Sequence, residues 1–191
     1  MDVIKLINEQ LTNPDTLRKL GQTVGAQPEQ VQKVAQLGLP ALLQALGNNA
    51  GTSGGAESLA GALEQHKDDN VDDIDGFLNT VNPTDGAKIL QHAFAGKNDM
   101  VQNNLARQSG LQTGQVSGLM AMLAPLLLGA LGNQKKAQNI DASGLSGMLS
   151  GVLGQAGNKG LMGMVTNLLD SDKDGDIMDD VGNLLKGFMK K

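Results

Sequence analysis

The chain has 191 residues, a formal net charge of −5, no Cys, Trp or Tyr, and only three Phe. Without Cys it can form no disulfide framework, thiol redox centre, Cys-ligated zinc site or iron–sulfur cluster. So few aromatic side chains nearly exclude base stacking, and the acidic balance argues against a phosphate-binding surface. Nucleic acid is therefore a disfavoured partner.

The acidic residues are concentrated in two segments. Five of the 20 Asp and Glu residues lie in 68–75, and six lie in 170–180. The other nine are scattered along the chain. The net negative charge therefore belongs to two local sites rather than to a generally acidic surface.

No export signal or membrane span is predicted. Residues 1–11 are charged and amphipathic, whereas a signal peptide needs a basic start and an apolar stretch of roughly 7–15 residues. The longest apolar run, 119–132, has 14 residues, and a membrane-spanning helix needs roughly 20. We therefore expect a buried core helix at this run and a cytoplasmic location.

Helical periodicity dominates the chain, and no segment alternates as a strand would. A bend is expected near Gly38 and Pro40, and a flexible loop at 47–55, where Gly, Asn and Ser are concentrated. Predicted helices lie at about 3–11, 15–24, 28–46, 57–65, 72–80, 83–94, 98–108, 113–131, 145–153, 161–169 and 176–189.

An internal repeat appears when the chain is shifted by 85 residues. Gly25, Gln27, Gln30, Val31, Pro40, Leu42, Leu43, Ala45, Leu46 and Gly47 then meet Gly110, Gln112, Gln115, Val116, Pro125, Leu127, Leu128, Ala130, Leu131 and Gly132. The paired Pro and the shared Gly-x-Gln-x-x-Gln-Val pattern favour duplication over chance. We predict an all-α, multi-helical array of two degenerate repeats of roughly 85 residues, with short helices joined by Gly/Pro turns. The N-terminal repeat would span 1–80 and the C-terminal repeat 81–191.

The most specific motif is an Asp-rich loop, D-x-D-x-D-G-x-I, at 170–177. Carboxylates at alternate positions, with Gly175 permitting a sharp bend, are typical of EF-hand and dockerin-like calcium loops. Position twelve, a bidentate Glu in an EF-hand, is Val181, so an Asp just before it would close the loop; which of the two candidates does so stays open. Calcium is favoured over magnesium because the loop offers many carboxylates in a flexible cage. The candidate metal ligands are Asp170, Asp172, Asp174, Asp176, Asp179 and Asp180.

Other chemistry is only weakly indicated. The segment 68–75 lacks ordered ligand spacing, and His66 beside it is more typical of a surface residue at a helix C-terminus than of a metal ligand. No Ser–His–Asp order, P-loop or dinucleotide fingerprint is present, so no enzyme is predicted. The segment 106–116 resembles a helix-turn-helix motif, with a small residue and a turn Gly before the start of a helix. However, the helix at 116–123 has no Lys or Arg to contact DNA.

Four features together resemble a known family. They are the stretch DGAKILQHAF at 85–94, the turn at Ser109-Gly110-Leu111, the run LAPLLL at 123–128, and the Asp-rich loop before a final amphipathic helix. The chain thereby resembles the YidB-like family of uncharacterised bacterial proteins, domain of unknown function 937, over most of its length. The resemblance implies an all-helical bacterial protein and supplies no catalytic residue.

The sequence therefore predicts a non-enzymatic helical module that binds calcium at the loop 170–181. Its expected role is protein interaction or self-association, with a protein partner or a second copy in a homo-oligomer. The alternative is a helix-turn-helix-like, DNA-associated or regulatory protein.

Overall fold

The computed structural model of the protein describes residue 3, residues 12–52 and residues 54–156. Within these residues the fold is all-helical, as predicted, with eight helices and no strand. The helices are α1 Pro14–Val24, α2 Pro28–Ala50, α3 Gly55–His66, α4 Ile74–Thr80, α5 Pro83–Phe94, α6 Asn98–Ser109, α7 Thr113–Gln138 and α8 Leu145–Ala156. The predicted helices at 3–11 (apart from residue 3), 161–169 and 176–189 lie outside these residues.

Asn side chains set where two of the helices begin. The side chain of Asn13 accepts a hydrogen bond from the N–H of Asp15 at 2.9 Å, at the start of α1. Asn82 accepts one from the N–H of Thr84 at 3.0 Å, at the start of α5. Both helices have Pro at their first position. Because the caps satisfy free N–H groups and Pro has none to satisfy, the local sequence fixes these starts.

The two long helices, α2 and α7, begin in the same way. The preceding helices end in left-handed glycines, Gly25 with φ of 69° and Gly110 with φ of 74°. Gln27 and Gln112 then lead into the long helices with φ of −77° and −76° and the same ψ of 150°. Their N–H groups donate to the side-chain oxygen of the Gln three residues further on, at 3.0 and 2.9 Å.

The core is built around α7, which packs against α1, α2, α3, α5 and α6. Leu119, Leu123 and Leu131 of this helix are entirely buried. The most extensive packing is with α5, where Gly86 faces the backbone of Ala121 so closely that a Cβ would overlap its carbonyl group. The absence of a side chain at Gly86 therefore sets how closely the two helices approach.

By length and composition α7 could cross a membrane, and no other helix within the described residues could. The apolar run 119–132 is shorter than a membrane span, but the helix to which it belongs has 26 residues. The length of the run therefore does not exclude a span. However, 78% of its most apolar window is buried against the rest of the protein. The core helix of a soluble protein passes the same test, so this feature alone does not indicate membrane insertion.

The connection between α2 and α3 is shorter than the flexible loop predicted at 47–55. α2 continues until only 51–54 separate the two helices. The side chain of Leu149 in α8 lies close to Gly47, and Asn49 donates to two carbonyl groups at the end of α5. These tertiary contacts extend the helix over residues whose own propensities favour a loop.

Candidate functional site

His66, the last residue of α3, lies between two carboxylates. Its side chain is 15% exposed, its Nδ1 lies 2.8 Å from Oδ2 of Asp69, and its Nε2 lies 3.4 Å from Oδ2 of Asp85. Both ring nitrogens therefore face carboxylate oxygens, and the contact between Nδ1 and Asp69 is a hydrogen bond. The arrangement joins the end of α3 to the first turn of α5.

Sequence reasoning located His66 at a helix C-terminus, and the structure confirms that position. It did not foresee that the ring is largely buried or that Asp85 approaches it from another helix. The one local signal was the spacing of three residues between His66 and Asp69, which brings side chains together at a helix end.

Two adjoining concavities open beside His66. One of about 490 Å³ lies between α3, α5 and the end of α2. The other, of about 410 Å³, lies between the end of α3, α4 and α5. They share Gln65, His66 and Asp85 in their walls, and we call the pair the His66 groove.

The two halves of the His66 groove differ in character. The larger half has an apolar wall that includes Leu59 and Ile89, with the exposed Lys88 at its edge. The smaller half is lined by carboxylates, among them Asp73 and Asp85, and by no Lys or Arg. Such a groove suits a ligand with an apolar part and a cationic group, because each part meets a complementary wall.

The acidic segment 68–75 is held by protein partners. Asp68 pairs with Lys136 at 2.5 Å, and Asp75 pairs with Lys19 at 2.6 Å. Asp73 accepts a backbone N–H of α4 at 3.0 Å and so caps that helix. Among the described residues, no group of three His, Cys, Asp or Glu side chains is placed to hold a metal ion.

Lysines at the end of α7 tie that helix to the end of α3. Hydrogen bonds from Lys67 and then Lys135 lower the pKa of Glu64, and the bond to Glu64 raises the pKa of Lys67. The hydrogen bond from Lys136 lowers the pKa of Asp68. Two of these contacts, Lys135 with Glu64 and Lys136 with Asp68, link the end of α3 to the core helix α7. The contact between Lys67 and Glu64 lies within the end of α3 itself.

The six predicted metal ligands lie outside the residues that the structure describes. They are Asp170, Asp172, Asp174, Asp176, Asp179 and Asp180, all beyond residue 156. The calcium loop at 170–181 therefore stays a prediction from the sequence.

The segment with the helix-turn-helix pattern forms α6, a turn at 110–112 and α7. Val116, Leu119 and Met120, in the first turns of α7, are entirely buried, and 113–134 contains no Lys or Arg. A DNA-reading helix must present polar side chains to the groove. The start of α7 instead packs into the core, so the geometry gives the DNA-binding alternative no support.

A family model with the description "Bacterial protein of unknown function (DUF937)" matches residues 5–134. No curated protein and no solved structure matches the chain significantly. The match covers more than half of the chain and includes α1 to α6 with most of α7. The family description names no activity, so function has to be argued from the residues themselves.

Proposed function

The chain belongs to the bacterial family of unknown function DUF937, and from that premise we propose that it is a non-enzymatic helical module that binds calcium at 170–181 and mediates protein interaction or self-association. The family resemblance inferred from the sequence is thereby confirmed. The narrower YidB-like assignment and the cytoplasmic location are parts of the proposal.

The observation that carries the proposal is the contrast between the two acidic segments. Carboxylates of 68–75 are engaged by Lys19, Lys136, His66 and the start of α4. In 170–180 four Asp residues instead occupy alternate positions within seven residues, with Gly after the third. Carboxylates so spaced repel one another unless a cation lies between them, and this spacing is the ligand pattern of calcium loops.

Two degenerate copies, 1–80 and 81–191, would make up the module. The matching turns at Gly25 and Gly110 and the matching starts of α2 and α7 support this division. Pro40 and Pro125, which are 85 residues apart, each lie inside one of the two long helices. We refer to the copies as the first and second units.

The surroundings of His66 support a binding role rather than a catalytic one. The groove walls carry the hydroxyls of Thr52, Ser58 and Thr80. Those of Thr52 and Thr80 donate to the backbone carbonyls of Asn49 and Phe77, and Ser58 lies on the same helix eight residues before His66. At a rise of about 1.5 Å per residue the two are about 12 Å apart along the helix, far beyond hydrogen-bond reach. The ring nitrogens face Asp69 and Asp85 instead.

Calcium titration with thermal unfolding tests the metal part of the proposal. For the wild type at a calcium concentration of about 100 times Kd, we expect a gain of about 2.7 kcal/mol, or about 5–10 °C in Tm. The variant D172N/D174N removes two loop carboxylates and should show no gain. Magnesium at the same concentration should give a smaller shift.

The matched control is D72N/D75N, which removes two carboxylates from the other acidic segment. It should respond to calcium as the wild type does. Equal shifts in the two double variants, or no shift in the wild type with millimolar calcium, would overturn the calcium site.

A further inference from the structure

The packing between the two units is reciprocal, and it defines an interface that a second copy of the chain can also complete. We propose that two copies exchange their second units and form a homodimer in which each unit packs against the partner's. The inference deepens the self-association of the proposed function and rests on that part and on the division into two units, and it does not require calcium.

The first reciprocal contact joins the turns that precede the long helices. The side-chain amide of Gln30 donates to the carbonyl oxygen of Gly110 at 3.2 Å. The amide of Gln115 donates to the carbonyl oxygen of Gly25 at 2.7 Å. Each unit thus offers the same side chain to the same turn of the other, as in the self-complementary interface of a two-fold dimer.

The second reciprocal contact lies at the far ends of the long helices. α2 of the first unit packs on α8 of the second, and α7 of the second packs on α3 of the first. A Cβ at Gly47 would lie 4.0 Å from the Cβ of Leu149. A Cβ at Gly132 would lie 2.7 Å from the carbonyl oxygen of Leu63. Much of the buried surface is therefore made between units, and the same surface can form between two chains.

The connection between α4 and α5 is suited to open as a hinge. It consists of Val81 and Asn82, with ψ of 136° and 107°, so its backbone is already extended. The smaller half of the His66 groove lies between the two helices. Because open space already separates α4 from α5 at this point, straightening the connection between them would pull apart little packed surface. α4 stays with the first unit through the pair between Asp75 and Lys19.

Exchange would preserve the contacts of the closed chain and cost mainly the association of two molecules. Domain swapping is a low-cost route to dimers for this reason. The fraction of chains in the dimer should therefore increase with the chain concentration during refolding. Lengthening the hinge by two Gly between Val81 and Asn82 should reduce it, because short hinges favour exchange.

Engineered cysteines provide the test, because the 191-residue sequence contains no Cys. The variants G47C and L149C are mixed, refolded together at several concentrations and oxidised. The 4.0 Å Cβ separation suits a disulfide. Only an exchanged dimer places Cys at 47 of one chain beside Cys at 149 of the other. We expect the fraction of chains that carry this interchain bond, identified by peptide mass spectrometry, to rise about tenfold when the chain concentration rises tenfold in the dilute range.

The double variant G47C/L149C, refolded in dilute solution, is the control. It should close the bond within one chain, which shows that both substitutions permit folding. If it does so while the mixture gives no 47–149 interchain bond at any concentration, exchange is overturned. If the buried Leu149 substitution prevents folding, light scattering of wild-type protein refolded at high concentration decides, and a purely monomeric product overturns exchange. When both Cys variants fold, a dimer of their mixture without the 47–149 bond supports self-association but refutes exchange.

Discussion

Gln115 donates its side-chain amide to the carbonyl oxygen of Gly25 at 2.7 Å, across 90 residues of chain. Its side-chain oxygen meanwhile accepts the N–H of Gln112 at 2.9 Å, at the start of its own helix. One side chain therefore fixes the start of α7 and the turn before α2. Gln30 does the reverse, holding the start of α2 and the turn at Gly110.

Replacing Gln115 by Ala should lower the free energy of unfolding by about 1–3 kcal/mol. It removes the bond from Gln112 and the amide's bonds to the carbonyl oxygens of Val24 and Gly25, and a typical hydrogen bond contributes about 0.5–1.5 kcal/mol. Gln30→Ala should cost less, since its bond to the other unit is longer, 3.2 against 2.7 Å. Urea unfolding measures both. Gln115→Glu keeps the oxygen that accepts from Gln112 but brings a carboxylate oxygen against the carbonyl oxygens of Val24 and Gly25, so it should be no more stable than Gln115→Ala. An unchanged midpoint in Gln115→Ala would contradict the role assigned here.

The shared Gly-x-Gln-x-x-Gln-Val pattern predicted that these two turns match, because the geometry of each turn depends on neighbouring residues alone. Gly25 and Gly110 permit a left-handed backbone, and the Gln three residues after each N-cap can reach its N–H. The shift of 85 residues thus indicated two similar starts. It could not indicate that each Gln also reaches the other unit, because a repeat carries no information about how its copies pack.

The candidate site illustrates the same limit. The position of His66 at a helix end follows from local pattern, whereas its contact with Asp85 depends on how α3 and α5 are arranged in space. The helix ends near 47 and 131 were also placed too early, since α2 and α7 continue to Ala50 and Gln138. Tertiary packing overrides the weak propensities of Gly and Asn in both places.

Two glycines allow the same substitution to be compared in opposite surroundings. Gly86→Ala should destabilise the protein by about 1–3 kcal/mol, because its Cβ would overlap the carbonyl of Ala121 and push α5 from α7. A Cβ at Gly61 in α3 would have no atom within 4 Å. Gly61→Ala should therefore stabilise the protein by about 0.5–1 kcal/mol, since Ala is the better helix former. Thermal unfolding of both variants measures the difference. Equal effects in the two variants would refute the close approach of α5 and α7.

Asn49 should contribute to stability through the end of α5. Its side-chain amide donates to the carbonyl oxygens of His92 and Ala93 at 3.1 and 3.0 Å, which no residue of their own helix satisfies at that end. Asn49→Ala should cost about 1–2 kcal/mol, or about 2–8 °C in Tm. The neighbouring Asn48 is exposed, so Asn48→Ala should leave Tm within about 1–2 °C of the wild type. A similar loss in both variants would point to helix propensity instead of capping.

Acid should remove the small stabilisation that Lys136 provides through its contact with Asp68. Its hydrogen bond lowers the pKa of Asp68. A carboxyl group with a lowered pKa stabilises the fold above its unfolded pKa, and this contribution is lost as the pH falls through the folded value. Lys136→Met should therefore be less stable than the wild type at pH 7, and the two should converge below about pH 3, where Asp is protonated. Because the pair is exposed, the gap should be modest and shrink in high salt.

The control for this pH series is Lys33→Met, which removes the same charge from an exposed site of α2. Urea midpoints of the three proteins are compared between pH 2.5 and 7. The control should match the wild type near pH 7 and match Lys136→Met near pH 2.5, since the loss of one positive charge changes general repulsion equally in both variants. If the gap between Lys136→Met and the wild type persisted at pH 2.5, the lysine would stabilise through its alkyl chain rather than through Asp68.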